Sequence, residues 1–179
     1  MKSKNLTKQL VINALGIALV IIATSFLSMT ISSSFINLGD VFIFFFGIYF
    51  GPVTGLLVGG FGSFFADVLV HPSTMVYTLF IKGLEGLVVG LCAKGLRKHA
   101  KNSLLRNIFN IVSMLSGSII MIGGYFLAKA FIYGNMETAL ISLINNIIQA
   151  LVSLLIAIVL TNIFDNTYLK KYVNWLVIC

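Results

Sequence analysis

Amide and hydroxyl side chains recur along the last long apolar segment of the chain. They stand at i, i+3, i+4, i+7 and i+11, which places them in one stripe on a helix. The members of this polar stripe are Ser142, Asn145, Asn146, Gln149 and Ser153. Such a stripe needs hydrogen-bond partners from a neighbouring helix, from water or from a ligand. Bonding between helices would explain the pattern, but we expect a ligand because other polar groups fall at similar depth.

Those other polar groups are charged and aromatic residues in two further apolar segments. Lys82 and Glu85 stand three apart, on one helix face, where they either pair with each other or address a ligand. Lys129 stands one turn from Tyr125 and either joins the site or extends to the membrane interface. With Tyr77 and Tyr125 as walls, the segments containing residues 76–93, 108–133 and 138–164 would line a cavity that suits a small planar heterocycle.

Composition predicts the elements that carry these residues. Hydrophobic residues make up 59% of the 179 residues and charged residues only 9%, whereas soluble domains carry roughly 25% charged residues. Mean hydropathy is +1.04. The chain is therefore predicted to be an all-α integral membrane protein, with residues 1–179 forming a single domain. The net charge of +7 then reports membrane topology, and we expect no nucleic-acid partner.

Several kinds of chemistry are not indicated. No glycine-rich loop precedes a Lys-Ser/Thr pair, so no ATP site is predicted, and no Ser/His or Asp/Asp catalytic spacing occurs. Cys92 and Cys179 are far apart and in no metal-ligand pattern, so neither a disulfide nor zinc is expected. We predict a protein that is not an enzyme and that carries no cofactor.

Basic residues set the expected topology. Ten of the twelve lie in the tail Lys2–Lys8, between Lys94 and Arg106, and at Lys170-Lys171, and the positive-inside rule places all three groups in the cytoplasm. The number of crossings before Lys94 must then be even. This holds only if residues 41–70 form two helices that break at Gly51-Pro52, where proline disfavours a continuous helix. The result is a compact bundle of six transmembrane helices, with both termini cytoplasmic.

Three polar segments then face outside, at residues 30–40, 71–75 and 134–137. The first is read as a loop, and with the second it would cover the cavity, so Asn37, Asp40 and His71 are lid or gating candidates. Asp40 precedes the second helix in an N-cap-like position. His71, a lone loop histidine, is expected to be structural or solvated.

Small residues recur at helical spacing in several segments. Gly55, Gly59 and Gly62 share one face, and Gly83, Gly86 and Gly90 repeat the pattern in the next helix. They permit close helix approach in lipid, and compact packing explains most of them. Ala14 and Ala18, four apart in the first helix, either pack internally or receive another helix.

The chain resembles the substrate-binding S components of energy-coupling factor (ECF) vitamin transporters. The resemblance covers essentially the whole chain, and its most specific part runs from Asn37 to Gly86. It is carried by Asn37-Leu38-Gly39-Asp40, Gly51-Pro52, Gly55, Gly59-Gly60, Gly62-Ser63, Ala66-Asp67, the segment Ile81-Lys82-Gly83-Leu84-Glu85-Gly86, and the pair Ala14 and Ala18. Among S components the chain is most similar to the hydroxymethylpyrimidine or vitamin B6 branch, with pantothenate-type members close by.

The resemblance implies a function and partners. Such a subunit captures a vitamin at the outer face of the bacterial cell membrane and reorients in the bilayer to release it inside. ATP is hydrolysed by two cytoplasmic ATPases (EcfA and EcfA'), which bind a transmembrane coupling subunit (EcfT). Ala14 and Ala18 would dock on the coupling subunit. The implied substrate contacts are Tyr77, Lys82, Glu85, Tyr125, Lys129, Asn145, Asn146 and Gln149. The alternatives are an S component for pantothenate or another B vitamin, and an autonomous secondary transporter, although no convincing repeat of two halves occurs.

Overall fold

The computed structural model of the protein describes residues 2–31, 34–132, 134 and 136–166. Six helices and a two-stranded hairpin occupy these ranges. In chain order they are α1 Lys2–Phe26, β1 Ser28–Ile31, β2 Ser34–Asn37, α2 Gly39–Phe50, α3 Pro52–Val70, α4 Met75–Arg97, α5 Ser103–Ile132 and α6 Met136–Asn166. The predicted helical membrane bundle is confirmed.

Five of the helices are long and apolar enough to cross a membrane, and the exception is α2. Its 12 residues span only about 18 Å at 1.5 Å per residue, against a hydrocarbon core of about 30 Å. The five long helices expose large apolar side chains such as Leu69, Ile119 and Leu155, as lipid-facing helices do. The orientation of the termini stays a prediction, and the Lys170-Lys171 pair lies outside the described residues.

The short helix α2 forms the centre of the bundle. Ile43 and Phe44 have no solvent exposure, and α2 packs against α1, α3, α4 and α6. Aromatic rings hold its far end, where Phe45 and Tyr49 both pack edge-on against Phe164 of α6, with ring centroids 5.0 and 4.5 Å apart. The aromatic run after Asp40 is therefore a core helix with almost no lipid face.

A sharp break separates α2 from α3, as the sequence predicts. Gly51 adopts φ +94°, a conformation that glycine reaches readily and that is sterically unfavourable for residues with a Cβ atom. Pro52 begins α3, where its missing N–H costs no helical hydrogen bond.

The segment read as an outer loop is a hairpin. Strands β1 and β2 pair antiparallel, with Ser28 opposite Asn37 and Ile31 opposite Ser34. The β-branched and aromatic residues in this stretch favour extended backbone, and the serines among them produced the polar appearance. The predicted loop also ran too far, because α2 already begins at Gly39.

Glycines bring α3 and α4 into close contact. A Cβ atom on Gly55 would overlap the carbonyl oxygen of Gly86, and one on Gly59 would overlap the carbonyl oxygen of Lys82. These overlaps involve backbone atoms, which cannot rotate away. The predicted role of these glycines in close packing is confirmed. The contacts set the position of Lys82 and Glu85 along the axis of α4 relative to α3.

The glycine contact gives a stability prediction. Gly55→Ala should destabilise the protein in detergent by about 1–3 kcal/mol, because the added methyl group overpacks the helix crossing. Gly95→Ala is the matched control on α4, since a Cβ at Gly95 meets nothing within 4 Å, and it should be neutral or slightly stabilising. Thermal unfolding of both variants measures the difference, and equal melting temperatures would contradict the contact.

Candidate functional site

A buried ion cluster joins α2 to α4. Lys82 Nζ pairs with Asp40 Oδ1 and lies 2.9 Å from Glu85 Oε2. Lys82 is only 2% exposed, and Asp40 and Glu85 are not exposed at all. Charges removed from water in this way are costly unless they are paired and hydrogen-bonded. The cluster contains two carboxylates and one ammonium group, so its formal charge is negative when all three groups are ionised.

Gln149 connects this cluster to α6 and to the hairpin. Its Nε2 donates to Asp40 Oδ2 at 2.8 Å, and its Oε1 accepts from the backbone N–H of Asn37 at 3.1 Å. The side chain is 2% exposed. Both polar atoms of the amide therefore have protein partners, and three separate parts of the chain meet at this one residue.

Glu85 differs from the other members of the cluster. Its Oε1 receives no hydrogen bond from any residue that the structure describes, although the side chain is completely buried. A buried carboxylate oxygen without a donor costs more than a typical hydrogen bond gains. This atom is the position in the cluster that a hydrogen-bond donor on a ligand would best satisfy.

An aromatic pair lies beside the cluster. The rings of Tyr77 and Tyr125 meet edge-on with centroids 6.0 Å apart, and Lys82 Nζ lies 5.7 Å from the centre of the Tyr125 ring. Tyr125 Oη donates to Thr78 Oγ1 at 3.2 Å. The structure thus brings the predicted tyrosine walls together next to the charged groups, and it adds Thr78, which the sequence did not single out.

The polar stripe on α6 faces the interior along its whole length. All five of its members are buried, and Asn146 Nδ2 donates to Ser142 Oγ at 3.2 Å within the helix. Bonding within α6 and to the hairpin and α2 therefore accounts for Asn146 and Gln149. Lys129, which the sequence also placed near the site, is half-buried on α5.

The lid candidates occupy three different settings. Asp40 lies in the first turn of α2, where Leu38 is the N-cap residue, so its assignment to a loop and to an N-cap-like position is wrong. Helix α2 begins one residue before Asp40 and carries its carboxylate inward to Lys82. Asn37 ends β2, and its Oδ1 accepts from the Gly39 N–H at 2.9 Å, a local turn that leads the chain into α2.

His71 lies in the connection between α3 and α4. Its backbone N–H donates to the Asp67 carbonyl oxygen at 2.7 Å, and its own carbonyl oxygen accepts from the Thr74 N–H at 3.0 Å. The Asp67 carboxylate accepts from Thr74 Oγ1 at 2.5 Å. Asp67 therefore ties this connection to the end of α3.

A second polar cluster at the opposite end of the bundle was missed. Asp165 of α6 accepts from Arg106 Nε at 2.8 Å and from Arg97 Nη2 at 3.5 Å. Arg97 also donates to the Ile48 carbonyl oxygen and lies 4.7 Å from the centre of the Tyr49 ring. In the sequence these arginines indicate only membrane topology, although their closeness to helix ends is a signal for helix-end contacts.

Two alanines of α1 lie on the face that points away from this interior. Ala14 and Ala18 are exposed, whereas Gly16 lies against Val58 and Phe46 and Val20 is fully buried. One face of α1 therefore packs on the bundle, and the face with the two alanines is open to lipid or to a partner.

Sequence comparisons identify relatives over most of the chain. Residues 4–166 match the family described as ECF-type riboflavin transporter, S component. The chain is 34% identical over 125 residues to an uncharacterized protein of Pyrococcus woesei. This alignment covers 70% of this chain and 78% of that protein. It is 28% identical over 171 residues to the thiamine precursor transporter HmpT of Lactococcus lactis subsp. cremoris, which covers 93% of each. A UPF0397 protein of an Exiguobacterium species is 30% identical over 93 residues, 51% of each chain.

The ion cluster gives a second stability prediction. Lys82→Met should destabilise the folded protein by about 3–5 kcal/mol, because it leaves two buried carboxylates without a cation. Adding Asp40→Asn to this variant removes one of the two charges and should restore part of the loss. Lys94→Met, an exposed site on the same helix, is the control. Thermal unfolding of the four proteins tests this, and a double variant no more stable than Lys82→Met would contradict the pairing.

Proposed function

The chain belongs to the family of ECF-type riboflavin transporter S components, and we propose from this premise that it is the vitamin-binding subunit of an ATP-driven importer. It captures a small heterocyclic vitamin or precursor outside the cell and reorients in the membrane to release it inside. The proposed substrate is hydroxymethylpyrimidine or a compound similar to pyridoxine or pyridoxamine. The N-terminal tail Lys2–Lys8 of the protein and the segment from Lys94 to Arg106 then lie in the cytoplasm.

The observation that carries the substrate class is the free carboxylate oxygen of Glu85. An aminopyrimidine has an exocyclic amino group that can donate to Glu85 Oε1, and a planar ring that fits against Tyr77 and Tyr125. Donation to a charged acceptor in a buried site is worth about 1.5–3 kcal/mol. The relative HmpT, which aligns with 93% of this chain, is named a thiamine precursor transporter and supports the same class.

Two other vitamins are weighed against this. Riboflavin is favoured by the name of the family, and its ring system also carries an N–H donor. Pantothenate is an anion, and its carboxylate would face a cluster in which two carboxylates already outnumber the single Lys82. Like charges at short range in a low-dielectric site are strongly unfavourable, so the cluster favours a ligand with N–H donors over an anionic one.

The energy for transport is proposed to come from partners. A transmembrane coupling subunit (EcfT) and two cytoplasmic ATPases (EcfA and EcfA') are the partners that membership of the family suggests in general. The exposed pair Ala14 and Ala18 supports a docking face on α1, since small residues allow another helix to approach closely.

The first functional prediction concerns Glu85. Mass spectrometry of the ligand carried through purification identifies the substrate. Glu85→Gln should then weaken binding of that substrate about tenfold or more, because the amide is a weaker acceptor than the carboxylate. Glu137→Gln, an exposed site at the start of α6, makes the same chemical change and should leave the affinity unchanged. Equal dissociation constants for the wild type and Glu85→Gln would overturn the role of Glu85. If the purified protein carries riboflavin or pantothenate, that vitamin is the substrate and the proposed one is wrong.

The second functional prediction concerns the partners. Replacing both Ala14 and Ala18 with Trp should abolish co-purification with the coupling subunit and ATP-dependent uptake, while ligand affinity stays unchanged, because the bulk is added on the face away from the site. Ile119→Trp on α5, which is 69% exposed, adds similar bulk elsewhere on the lipid-facing surface and should leave the complex intact. A loss of ligand binding in the α1 variant would argue against a docking role. Uptake by the isolated subunit, driven by an ion gradient, would favour a secondary transporter instead.

A further inference from the structure

We propose that Gln149 is a positioning residue that ties the hairpin to the ion cluster and that it does not contact the substrate. This inference rests on the proposed function and changes the role of one residue in it. From the sequence, Gln149 is expected among the substrate contacts because it belongs to the polar stripe. The structure commits its side chain elsewhere.

The amide of Gln149 has two different partners. Nε2 can only donate, and it faces the Asp40 carboxylate at 2.8 Å, whereas Oε1 can only accept, and it faces the Asn37 N–H at 3.1 Å. Rotating the amide by half a turn would place donor against donor and acceptor against acceptor. One orientation is therefore strongly preferred, and leaving it breaks both contacts together.

The bond from Gln149 meets the hairpin where β2 ends. Asn37 is the last residue of β2, and the chain turns into α2 directly after it, with the Leu38 N–H bonded to the Leu27 carbonyl oxygen at 3.3 Å. The bond from Gln149 therefore acts at the base of the hairpin. Movement of the two strands away from α6 must stretch or break this bond.

A continuous path of polar contacts leads from the hairpin to the proposed ligand contact. It runs from Asn37 through Gln149, Asp40 and Lys82 to Glu85, and every side chain between the two ends is at least nine-tenths buried. A donor bound to Glu85 shifts the charge balance at Lys82 and strengthens its hold on Asp40. A better-fixed Asp40 holds Gln149, and Gln149 holds the hairpin in place.

The consequence concerns how long bound substrate is retained. When the bond between Gln149 and Asn37 is made, the base of the hairpin is fixed beside α6 and substrate is retained. When the bond is broken, the hairpin opens more often and substrate leaves faster. Because substrate enters and leaves past the same hairpin, removal of the Gln149 amide raises both the rate of ligand dissociation and the rate of association.

The experiment uses backbone hydrogen exchange of the full chain in detergent, read by mass spectrometry on peptides covering residues 34–40. The variants are Gln149→Leu, which removes both contacts, and Gln149→Glu, which keeps an acceptor for Asn37 but places a carboxylate against Asp40. The control is Ser153→Ala, one turn further along α6. Ser153 is also fully buried, and its Oγ has no hydrogen-bond partner among the described residues.

Without ligand, Gln149→Leu should exchange about tenfold faster than the wild type in residues 34–40, the effect of losing a buried hydrogen bond. Peptides of α4 report global stability, and the control should match the wild type in both regions. An unchanged exchange rate at residues 34–40 overturns the tie. If α4 also exchanges faster in Gln149→Leu, Gln149→Glu decides, because it keeps an acceptor for the Asn37 N–H. Residues 34–40 should then exchange more slowly relative to α4 in Gln149→Glu than in Gln149→Leu, and an equal ratio in the two variants overturns the tie.

A second measurement adds hydroxymethylpyrimidine and follows its binding kinetics. Dissociation from Gln149→Leu should be about tenfold faster than from the wild type, and association should also be faster. Loss of a direct substrate contact would speed dissociation as well, but it would leave the exchange of residues 34–40 in the ligand-free protein unchanged. A wild-type dissociation rate in Gln149→Leu overturns the coupling. If the wild type does not bind the pyrimidine, the proposed substrate is wrong, yet exchange in the ligand-free protein still tests the tie.

Discussion

A single ammonium group held between two carboxylates in an apolar bundle is the constraint on which this structure depends. Lys82 cannot be buried without Asp40, and Asp40 can reach it only if the short helix α2 lies inside the bundle against α4. Because the desolvation of such charges costs several kcal/mol per ion, partial packing is not a stable alternative. The small residues of α3 and α4 follow from this requirement, since only close crossing of these helices keeps Lys82 at the correct height.

The sequence was sufficient for the parts of the fold that depend on composition and local backbone chemistry. Six helices, the break at Gly51-Pro52 and the inward face of α6 follow from apolar length, proline and glycine chemistry, and helical spacing. The hairpin was missed because four-residue strands rich in serine resemble a polar loop. Asp40 was placed in the same loop because a sequence pattern locates the end of a helix only to within one or two residues.

The site itself was only partly predictable, because its contacts join residues far apart in the chain. The bond between Lys82 and Asp40 spans 42 residues, and that between Gln149 and Asp40 spans 109. Helical spacing indicates that Lys82 and Glu85 share a face, and that part of the prediction is confirmed by their contact. Spacing cannot indicate that a third charged group enters from another helix, which decides whether Glu85 has an oxygen left over for a ligand.

Polar contacts at both ends of α2 determine which part of the molecule can move. At its beginning, Asp40 is held by Lys82 of α4 and Gln149 of α6. At its end, the Ile48 carbonyl oxygen accepts from Arg97 of α4, and Tyr49 Oη donates to the Thr161 carbonyl oxygen of α6. The same two helices thus hold both ends of a buried helix, and shifting either helix along α2 would break contacts at both ends.

Polar contacts therefore join α2, α4 and α6 at both ends of α2, which suits a subunit proposed to reorient as a whole. The hairpin is different, because it meets these helices through its base, where the bond from Gln149 to Asn37 is a neutral contact to backbone. Neutral hydrogen bonds are roughly half as strong as charge-assisted ones, so this contact yields before those within the ion cluster. The path for substrate entry is accordingly expected at the hairpin, while the ion cluster stays intact.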